Sequence, residues 1–466
     1  MNSELIFRPF NPERVRMWFS LRMLKYFFCW MMLFQDTMVK GSIFQVGQYI
    51  APPGLFMAEM MAVFIGLITL FERTLSQDFT IRRSYFSGPL LLIAIAFFIS
   101  WCRGSYMNQK FAFVLEAHEA FALPFAYFLI SNAFRDSKDR EVLFKLILFA
   151  VIIKSVEGVW IYFFSTDPKK SWGVVELWRD GYLLAIGVVS IMLFVQYHGK
   201  RLRAMKRAMF LSIPLLGFTL IMSYRRTFVL ASLCAGLAMF VTLPKKMRLR
   251  HLWVLIGLLF GLVFFTLVTD PLGVLARFSG VIDPQNEGSA YIRLMELPNV
   301  LQNIAHNPVW GVPVGVQWKT YYRMPASSVY TTLGTHDSYL YWPLRAGILG
   351  AVAFVWLLGR LWKSALINYR LRKTEEDFFY GQLGLQLLII YQVSSFFGLM
   401  YGDIMSTFMS VVLVTFQLQS KHVSGRFSYK EVALWETLRE GKLVFNARAI
   451  RKMAAQSATP ALVGIS

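Results

Sequence analysis

Long apolar runs recur along the whole chain, and they limit its possible folds more than any other feature. Of the 466 residues, 56% are hydrophobic and 16% are aromatic. An α-helix needs about 17–25 apolar residues to cross the roughly 30 Å hydrocarbon core of a bilayer. The sequence therefore predicts an all-α polytopic membrane protein. About 12 transmembrane helices are expected, at 17–38, 48–71, 86–102, 111–134, 142–164, 174–197, 208–223, 227–243, 252–269, 336–361, 378–400 and 403–419.

The net charge of +21 follows the positive-inside pattern rather than a nucleic-acid-binding patch. Lys and Arg are concentrated in alternate loops, such as 72–85, 135–141 and 199–207, which are therefore predicted to be cytoplasmic. Both termini then lie in the cytoplasm. The segment 420–466, with its amphipathic stretch near 429–443, is predicted to be a basic cytoplasmic tail that rests on anionic headgroups. The three cysteines are far apart and predict neither a disulfide nor a metal site.

One long polar loop, 270–335, is predicted to lie outside, between spans 9 and 10. Loops of this length usually carry function. Its centre, 289–305, is predicted to be helical, with Ser289 as N-cap and a kink or break at Pro298. Its apolar residues recur at helical spacing, at Leu294, Leu297, Leu301 and Ile304. An amphipathic hairpin on the membrane surface is expected, and a lid that merely covers the bundle is the alternative.

Ionisable residues converge on the outer side of the predicted bundle. Each costs roughly 2.5–3.5 kcal/mol inside a span, so each needs a reason. Guanidinium groups at the outer leaflet suit an anion with planar oxygens, such as a phosphate or diphosphate on a lipid carrier. The residues predicted at this level are Glu116, His118, Glu119, Arg179, Asp180, Arg225, Arg226, Arg293 and His336.

Structural interpretations stay open for most of these charges. Arg225 and Arg226 also suit an interfacial anchor. Arg179 and Asp180 also suit mutual neutralisation through neighbouring helices. The cluster of Glu116, His118 and Glu119 also suits a satisfied network with Arg103 or Arg179. Arg179, Asp337, Glu116 and His118 are therefore predicted only as supporting residues of the site.

His336, at the start of the tenth predicted span, is the strongest single candidate for a catalytic residue. Thr335 is predicted to be the N-cap of this helix, with Asp337 in its first turn. The helix dipole disfavours a charged imidazole and Asp337 favours one, so the sequence leaves the charge state of His336 open. A neutral histidine can take a proton from a sugar hydroxyl, an effect worth roughly 10²–10⁴ in rate. The alternative is an interfacial histidine without chemistry.

Three stretches together resemble the O-antigen ligase and polysaccharide polymerase superfamily of bacterial membrane proteins. The first is a Ser/Arg turn leading into a Gly/Ala-rich helix, SYRRTFVLASLCAGLAM at 223–239. The second is an Arg-containing helix followed by a turn element, YIRLMELPNVLQNIAHNPVWGVPVG at 291–315. The third, THDSYLYWPLRAGILG at 335–350, is similar to the pattern that opens the helix after the loop.

The resemblance implies an inverting, metal-independent glycosyltransferase of GT-C-like architecture in the bacterial inner membrane, without a cofactor. Residues 1–419 would form the transmembrane glycosyltransferase-like domain. Arg225 or Arg226, together with Arg293, matches the arginines that hold the diphosphate of an undecaprenyl-linked glycan. His336 matches the base, and Asp337 stands where the pattern usually has Asn.

The implied partners are an undecaprenyl-diphosphate-linked glycan, an acceptor glycan, the lipid bilayer and a chain-length regulator or export machinery, but no nucleic acid. The acceptor is either a lipid-linked repeat, for a polymerase, or the lipid A core, for a ligase. The superfamily motifs do not separate the two, and the Asp337 departure leans slightly towards a polymerase. Two alternatives remain: a transporter or flippase for a lipid-linked saccharide, and a non-catalytic assembly partner of an export system.

Overall fold

The computed structural model describes residues 12–33, 57–76, 80–83, 85–107, 112–135, 137–164, 178–223, 226–269, 288–322, 335–370, 374–396 and 430–433. Within these ranges the protein has 13 helices and two short strands. The helices are α1 Pro12–Leu33, α2 Met57–Ser76, α3 Ser87–Met107, α4 Ala112–Ala133, α5 Ser137–Phe164, α6 Trp178–Gln196, α7 Arg203–Leu211, α8 Ile213–Met222, α9 Arg226–Thr242, α10 Lys245–Thr269, α11 Gly288–His306, α12 Ser338–Arg370 and α13 Glu375–Ser395. The strands are β1 Thr80–Arg83 and β2 Lys430–Ala433.

Helices occupy eleven of the twelve segments predicted as spans, and the twelfth, 403–419, lies outside the described residues. Two of the described helices, α3 and α12, are long and apolar enough to cross a membrane by themselves. The bent pair α7 and α8 passes the same test as one unit. For the other segments the helix is observed, and the membrane crossing stays a prediction.

The predicted span 208–223 is not one straight helix. Helices α7 and α8 meet at Ser212 with a bend of 53°. Pro214 lies in the first turn of α8, where a backbone N–H would have no partner within the helix. Its ring would clash with the preceding helical turn, so α7 cannot continue through it.

The described residues are mostly helical, as predicted, and a two-stranded sheet with four residues in each strand is added to the helices. Strand β1 pairs antiparallel with β2, with Thr80 opposite Ala433 and Arg83 opposite Lys430. The pairing ties the loop after α2 to the C-terminal segment. It also shows that the first residues of the stretch 429–443 are extended, because main-chain pairing across the chain prevails over the local amphipathic pattern.

The helices pack around one large apolar core, and α12 is central to it. Helix α12 packs on α3 and α13, while α13 also packs on α9 and α6. Among the largest fully buried side chains are Phe97 of α3, Tyr341 and Trp342 of α12, and Tyr391 of α13. Helix α11 lies against α12, at the end where α12 begins. Helix α11 is thereby fixed to α12.

Candidate active site

Helix α11 has a polar buried face that holds the chain following it. The prediction of a helix over 289–305 is confirmed to within one residue at each end, and Pro298 does not split it. Asn299 Oδ1 accepts from the backbone N–H groups of Tyr321 (2.6 Å) and Tyr322 (2.8 Å). Asn303 does the same for Lys319, at 3.0 Å. Two asparagines one turn apart therefore fasten the returning segment to the helix.

A small second hydrophobic cluster fills the space between α11, the returning segment and α12. It consists of Val300, Val312, Trp318 and Leu344, all buried. This cluster accounts for the buried side of the turn-rich sequence after α11, because two of its four members come from that sequence.

Helix α12 is interrupted at Gly347, and the turn after α11 fills the break. Gly347 has φ 58° and ψ −152°, a backbone region essentially restricted to glycine. In an unbroken helix the N–H of Ile348 would bond to the carbonyl of Leu344. Here Ile348 N–H donates to Pro308 O (2.9 Å), and Leu344 O accepts from Val312 N–H (2.6 Å). The loop thus replaces one helical hydrogen bond with two bonds of its own.

Buried polar groups of α3 and α12 complete the attachment of this turn. The fully buried Arg345 donates to the carbonyls of Pro313 (3.1 Å) and Val316 (2.7 Å). Ser100 of α3 donates to Arg345 O (2.5 Å) and accepts from Val314 N–H (3.1 Å). Arg345 therefore has a structural role, and the motifs NPVWGVPVG and RAGILG are two halves of one interlocked element.

A carboxylate on α11 holds the candidate base. Glu296 Oε1 accepts from the backbone N–H of His336 (2.8 Å), and its Oε2 lies 2.5 Å from Nδ1 of the same residue. Since an ionised carboxylate can only accept, Nδ1 carries the proton and donates it to Glu296. In the neutral ring this leaves the lone pair on Nε2, the nitrogen that Glu296 does not touch.

The two partners differ in burial: the supporting carboxylate is buried, and the candidate base is partly exposed. The side chain of Glu296 is 3% exposed and that of His336 is 35% exposed. Burial raises the pKa of the Glu296 carboxyl, but hydrogen bonds from His336 and Thr335 and attraction to His336 outweigh it, so the pKa is lowered. Glu296 is thus held ionised beside a partly exposed imidazole.

Asp337, not Thr335, caps α12, which corrects the capping prediction. Asp337 Oδ1 accepts from the N–H groups of Tyr339 (2.7 Å) and Leu340 (3.4 Å), the first turn of the helix. Thr335 instead hydrogen-bonds to Glu296 and to the N–H of Asp337. Burial raises the pKa of Asp337, its backbone hydrogen bonds lower it, and the Glu296 charge raises it, with a raised pKa as the result.

The other predicted site residues are described to different degrees. Arg293 is half-buried on α11, three residues before Glu296, so one helix carries both a predicted diphosphate ligand and the partner of His336. Arg225 lies outside the described residues. Four residues lie on described helices, but their side chains are not described: Glu116 and His118 of α4, Arg179 of α6 and Arg226 of α9.

Glu296 is the candidate site residue that the sequence reasoning missed. One signal was available: it lies three residues from Arg293, close to the same face of the helix. Its partner, however, is 40 residues away in the chain, and no local pattern joins the two.

The fold and this pair define a class: a helical membrane protein in which a buried carboxylate orients a half-exposed histidine. The resemblance noted in the sequence is confirmed, because residues 210–355 match the family described as O-antigen ligase. The match runs from α7 into α12 and includes Arg293, Glu296 and His336. No curated protein matches the chain.

Proposed function

We propose that the protein transfers a glycan from undecaprenyl diphosphate to a hydroxyl of an acceptor sugar, at the periplasmic face of the bacterial inner membrane. The Glu296–His336 pair carries this proposal, since it places a proton-accepting nitrogen at a partly exposed position. The match of residues 210–355 to the O-antigen ligase family supports a lipid-linked glycan as the substrate class.

In the proposed reaction, Nε2 of His336 removes the proton of the acceptor hydroxyl. The oxygen attacks the anomeric carbon of the donor glycan, and a new glycosidic C–O bond forms. The bond between that carbon and the diphosphate oxygen breaks, and the lipid diphosphate leaves with the electron pair. Attack opposite to the leaving group inverts the anomeric carbon. Glu296 stabilises the imidazolium that forms on His336.

The arginines take the charge of the leaving group. Diphosphate gains negative charge as the glycosidic bond breaks, and guanidinium groups bind such oxygens in a bidentate manner. Arg293 is the described candidate, because it shares α11 with Glu296. Arg226, the first residue of α9, or its neighbour Arg225 would contribute a second guanidinium. Charge neutralisation by arginine needs no metal ion, and Arg179, Glu116 and His118 are kept as supporting residues.

Two acceptors fit this chemistry equally well. Transfer to a lipid-linked repeat would make the protein a polymerase, and transfer to the lipid A core would make it a ligase. In both reactions the site must deprotonate one hydroxyl and release one diphosphate.

His336→Ala in a deletion strain tests the proposal, with His306→Ala as the matched control. His306 is the last residue of α11, the helix that carries Glu296. It is exposed and stacks on Tyr321, so its removal changes a histidine near the site without touching Glu296. Losing a general base lowers the rate by roughly 10²–10⁴. Surface glycan is extracted from strains with equal membrane levels of each variant, and its chain length and lipid A attachment are scored on gels.

The pattern of loss identifies the acceptor. Collapse to single repeats in the His336→Ala strain indicates a polymerase. Full-length polymer that is no longer joined to lipid A indicates a ligase. Wild-type glycan in both respects, or an equal defect in the His306→Ala strain, contradicts the role of His336 as base.

A further inference from the structure

The face of α11 opposite the Glu296–His336 pair is apolar and exposed. Leu294, Leu297 and Leu301 are 48%, 45% and 47% exposed. Steps of three and four residues put them on one side of the helix, while Glu296 and Asn303 are buried on the other. A helix at a water-facing protein surface has the reverse pattern. Single exposed leucines are ordinary, but a continuous row marks an interaction surface.

The row leads to a turn that is fixed to a membrane span. Val309 and Trp310, just after α11, are also exposed. The carbonyl of Pro308 in the same turn accepts from Ile348 N–H of α12 at 2.9 Å. Ile348 begins the exposed apolar row of α12, which continues with Val352 and Val355. The turn after α11 therefore joins the leucine row of α11 to the exposed apolar row of α12.

A second span fixes the level of this turn in the bilayer. Arg103, near the end of α3, donates to the carbonyl of Trp310 at 2.9 Å, and its guanidinium lies 5.9 Å from the centre of the indole ring. Both α3 and α12 are long and apolar enough to cross a membrane. Tryptophan is enriched where hydrocarbon meets the headgroups, so Trp310 and Arg103 mark that boundary.

We infer that the leucine face of α11, formed by Leu294, Leu297 and Leu301, docks on the leaflet of the bilayer that holds α3 and α12. The helix lies in the plane of the membrane surface, and lipid acyl chains cover the leucines. Glu296 projects from the opposite face, so the same contact holds the partner of His336 at the lipid–water boundary. The docking does not depend on His336 being a base.

Fluorescence quenching in lipid nanodiscs tests the docking. Cys102→Ser and Cys234→Ala remove the two accessible thiols, and the buried Cys29 stays. A single cysteine is then placed at Leu297→Cys or at Thr320→Cys and labelled with an NBD probe. Thr320 is exposed on the segment that packs against the polar face of α11, so it is the matched control. The probe at 297 is expected to be quenched by spin-labelled acyl chains and protected from aqueous iodide, and the probe at 320 the reverse.

Three results would overturn the inference. Iodide quenching at 297 equal to that at 320 places the leucine face in water. Protection from both quenchers means that protein, such as a second copy of the chain, covers the face. Acyl-chain quenching that appears only after a polyprenyl diphosphate is added assigns the face to the carrier tail.

A charge on the same face provides an independent check. Leu301→Glu, in the 297-labelled protein, is expected to increase iodide quenching at least twofold, whereas Leu301→Met is expected to leave it unchanged. Leu301 is half-exposed, so neither variant disturbs the core. Equal quenching in the two variants contradicts docking through this face.

Discussion

The two ends of α12 use charged side chains in different ways. At the end where α13 begins, Glu376 pairs with both Arg140 (2.7 Å) and Arg201 (3.2 Å), and Arg201 also pairs with Glu141. At the other end, Glu296 pairs with His336 alone among the ion pairs of the described residues. The two sites lie at opposite ends of α12, a helix of 33 residues that is interrupted at Gly347.

The difference distinguishes a pairing that fixes helices from a pairing that suits the proposed general base. A carboxylate shared between several guanidiniums keeps a partner when one is lost, and all its partners are held in place. A carboxylate that binds one nitrogen of a single imidazole orients that ring and leaves its second nitrogen for chemistry. The backbone shows the same contrast: the capping box of Thr374 and Asp377 begins α13 regularly, whereas α12 is broken at Gly347 near the candidate site.

Gly347→Ala is expected to lower the folded fraction of the protein, and this is the largest of the expected effects. Gly359→Ala is the control. A Cβ at Gly347 would overlap the carbonyl of Val309, and its backbone region disfavours any other residue by roughly 1–3 kcal/mol. A Cβ at Gly359, farther along α12, meets nothing within 4 Å, and alanine there gains up to about 1 kcal/mol of helix propensity. Size-exclusion chromatography of extracted membranes measures the folded fraction. Normal levels of Gly347→Ala protein would contradict the interlocked turn.

Glu296→Gln is expected to lower activity strongly while the protein still folds. Glutamine keeps the shape of the side chain but cannot stabilise an imidazolium, so the loss should approach, without exceeding, the roughly 10²–10⁴-fold loss of His336→Ala. Transfer to acceptor in membranes is measured as kcat and KM separately. The loss should fall on kcat, and Glu296→Asp should restore part of it. A double variant with His336→Ala should be no worse than His336→Ala alone.

Arg201→Gln tests the redundant end of the comparison. Glu376 still pairs with Arg140, and Glu141 still pairs with Lys145, so the free energy of unfolding should fall by no more than about 1 kcal/mol. Activity should stay within about twofold of wild type, because a loss of that size leaves nearly all of the protein folded. Transfer assays and thermal unfolding are compared with those of Glu296→Gln. A loss of activity as large as that of Glu296→Gln would show that the two ends are not functionally distinct.

Asp337→Asn is expected to have the smallest effect, and it depends on pH. The pKa of Asp337 is raised in the folded protein, so its ionised form costs stability at neutral pH. Asparagine still caps α12 and removes that cost, so Tm should rise at pH 7 by no more than about 2 °C. The gain in Tm should disappear below about pH 3.9, the ordinary aspartate pKa, because the carboxyl is then protonated in both the folded and the unfolded protein.

Replacement of Glu296 is expected to change stability in the opposite direction at neutral pH. Its pKa is lowered on folding, so it contributes stability at neutral pH that is lost as the pH falls below its ordinary value of about 4.3. Thermal unfolding of Glu296→Gln between about pH 5 and about pH 3 should therefore show a deficit that shrinks towards acid. A deficit independent of pH would mean that Glu296 acts through packing rather than through its charge.

Apolar periodicity predicted most of the fold, because a span or an amphipathic helix is encoded in adjacent residues. The loop helix was placed to within a residue at each end, and helices occupy eleven predicted spans. The errors occurred where distant segments meet. Pairing with 430–433 makes 80–83 a strand, and Asp337 replaces Thr335 as the cap because Thr335 bonds to Glu296.

For the candidate site, the sequence by itself determined the residue types, the loop helix and the histidine at the head of a helix. Arg293 and His336 could be named because guanidinium and imidazole chemistry is evident from the letters alone. The partner of His336 was decided only by the tertiary structure. Glu296 reaches it because the turn after α11 inserts into the break at Gly347, and such a contact between segments 40 residues apart leaves no periodic trace in the sequence.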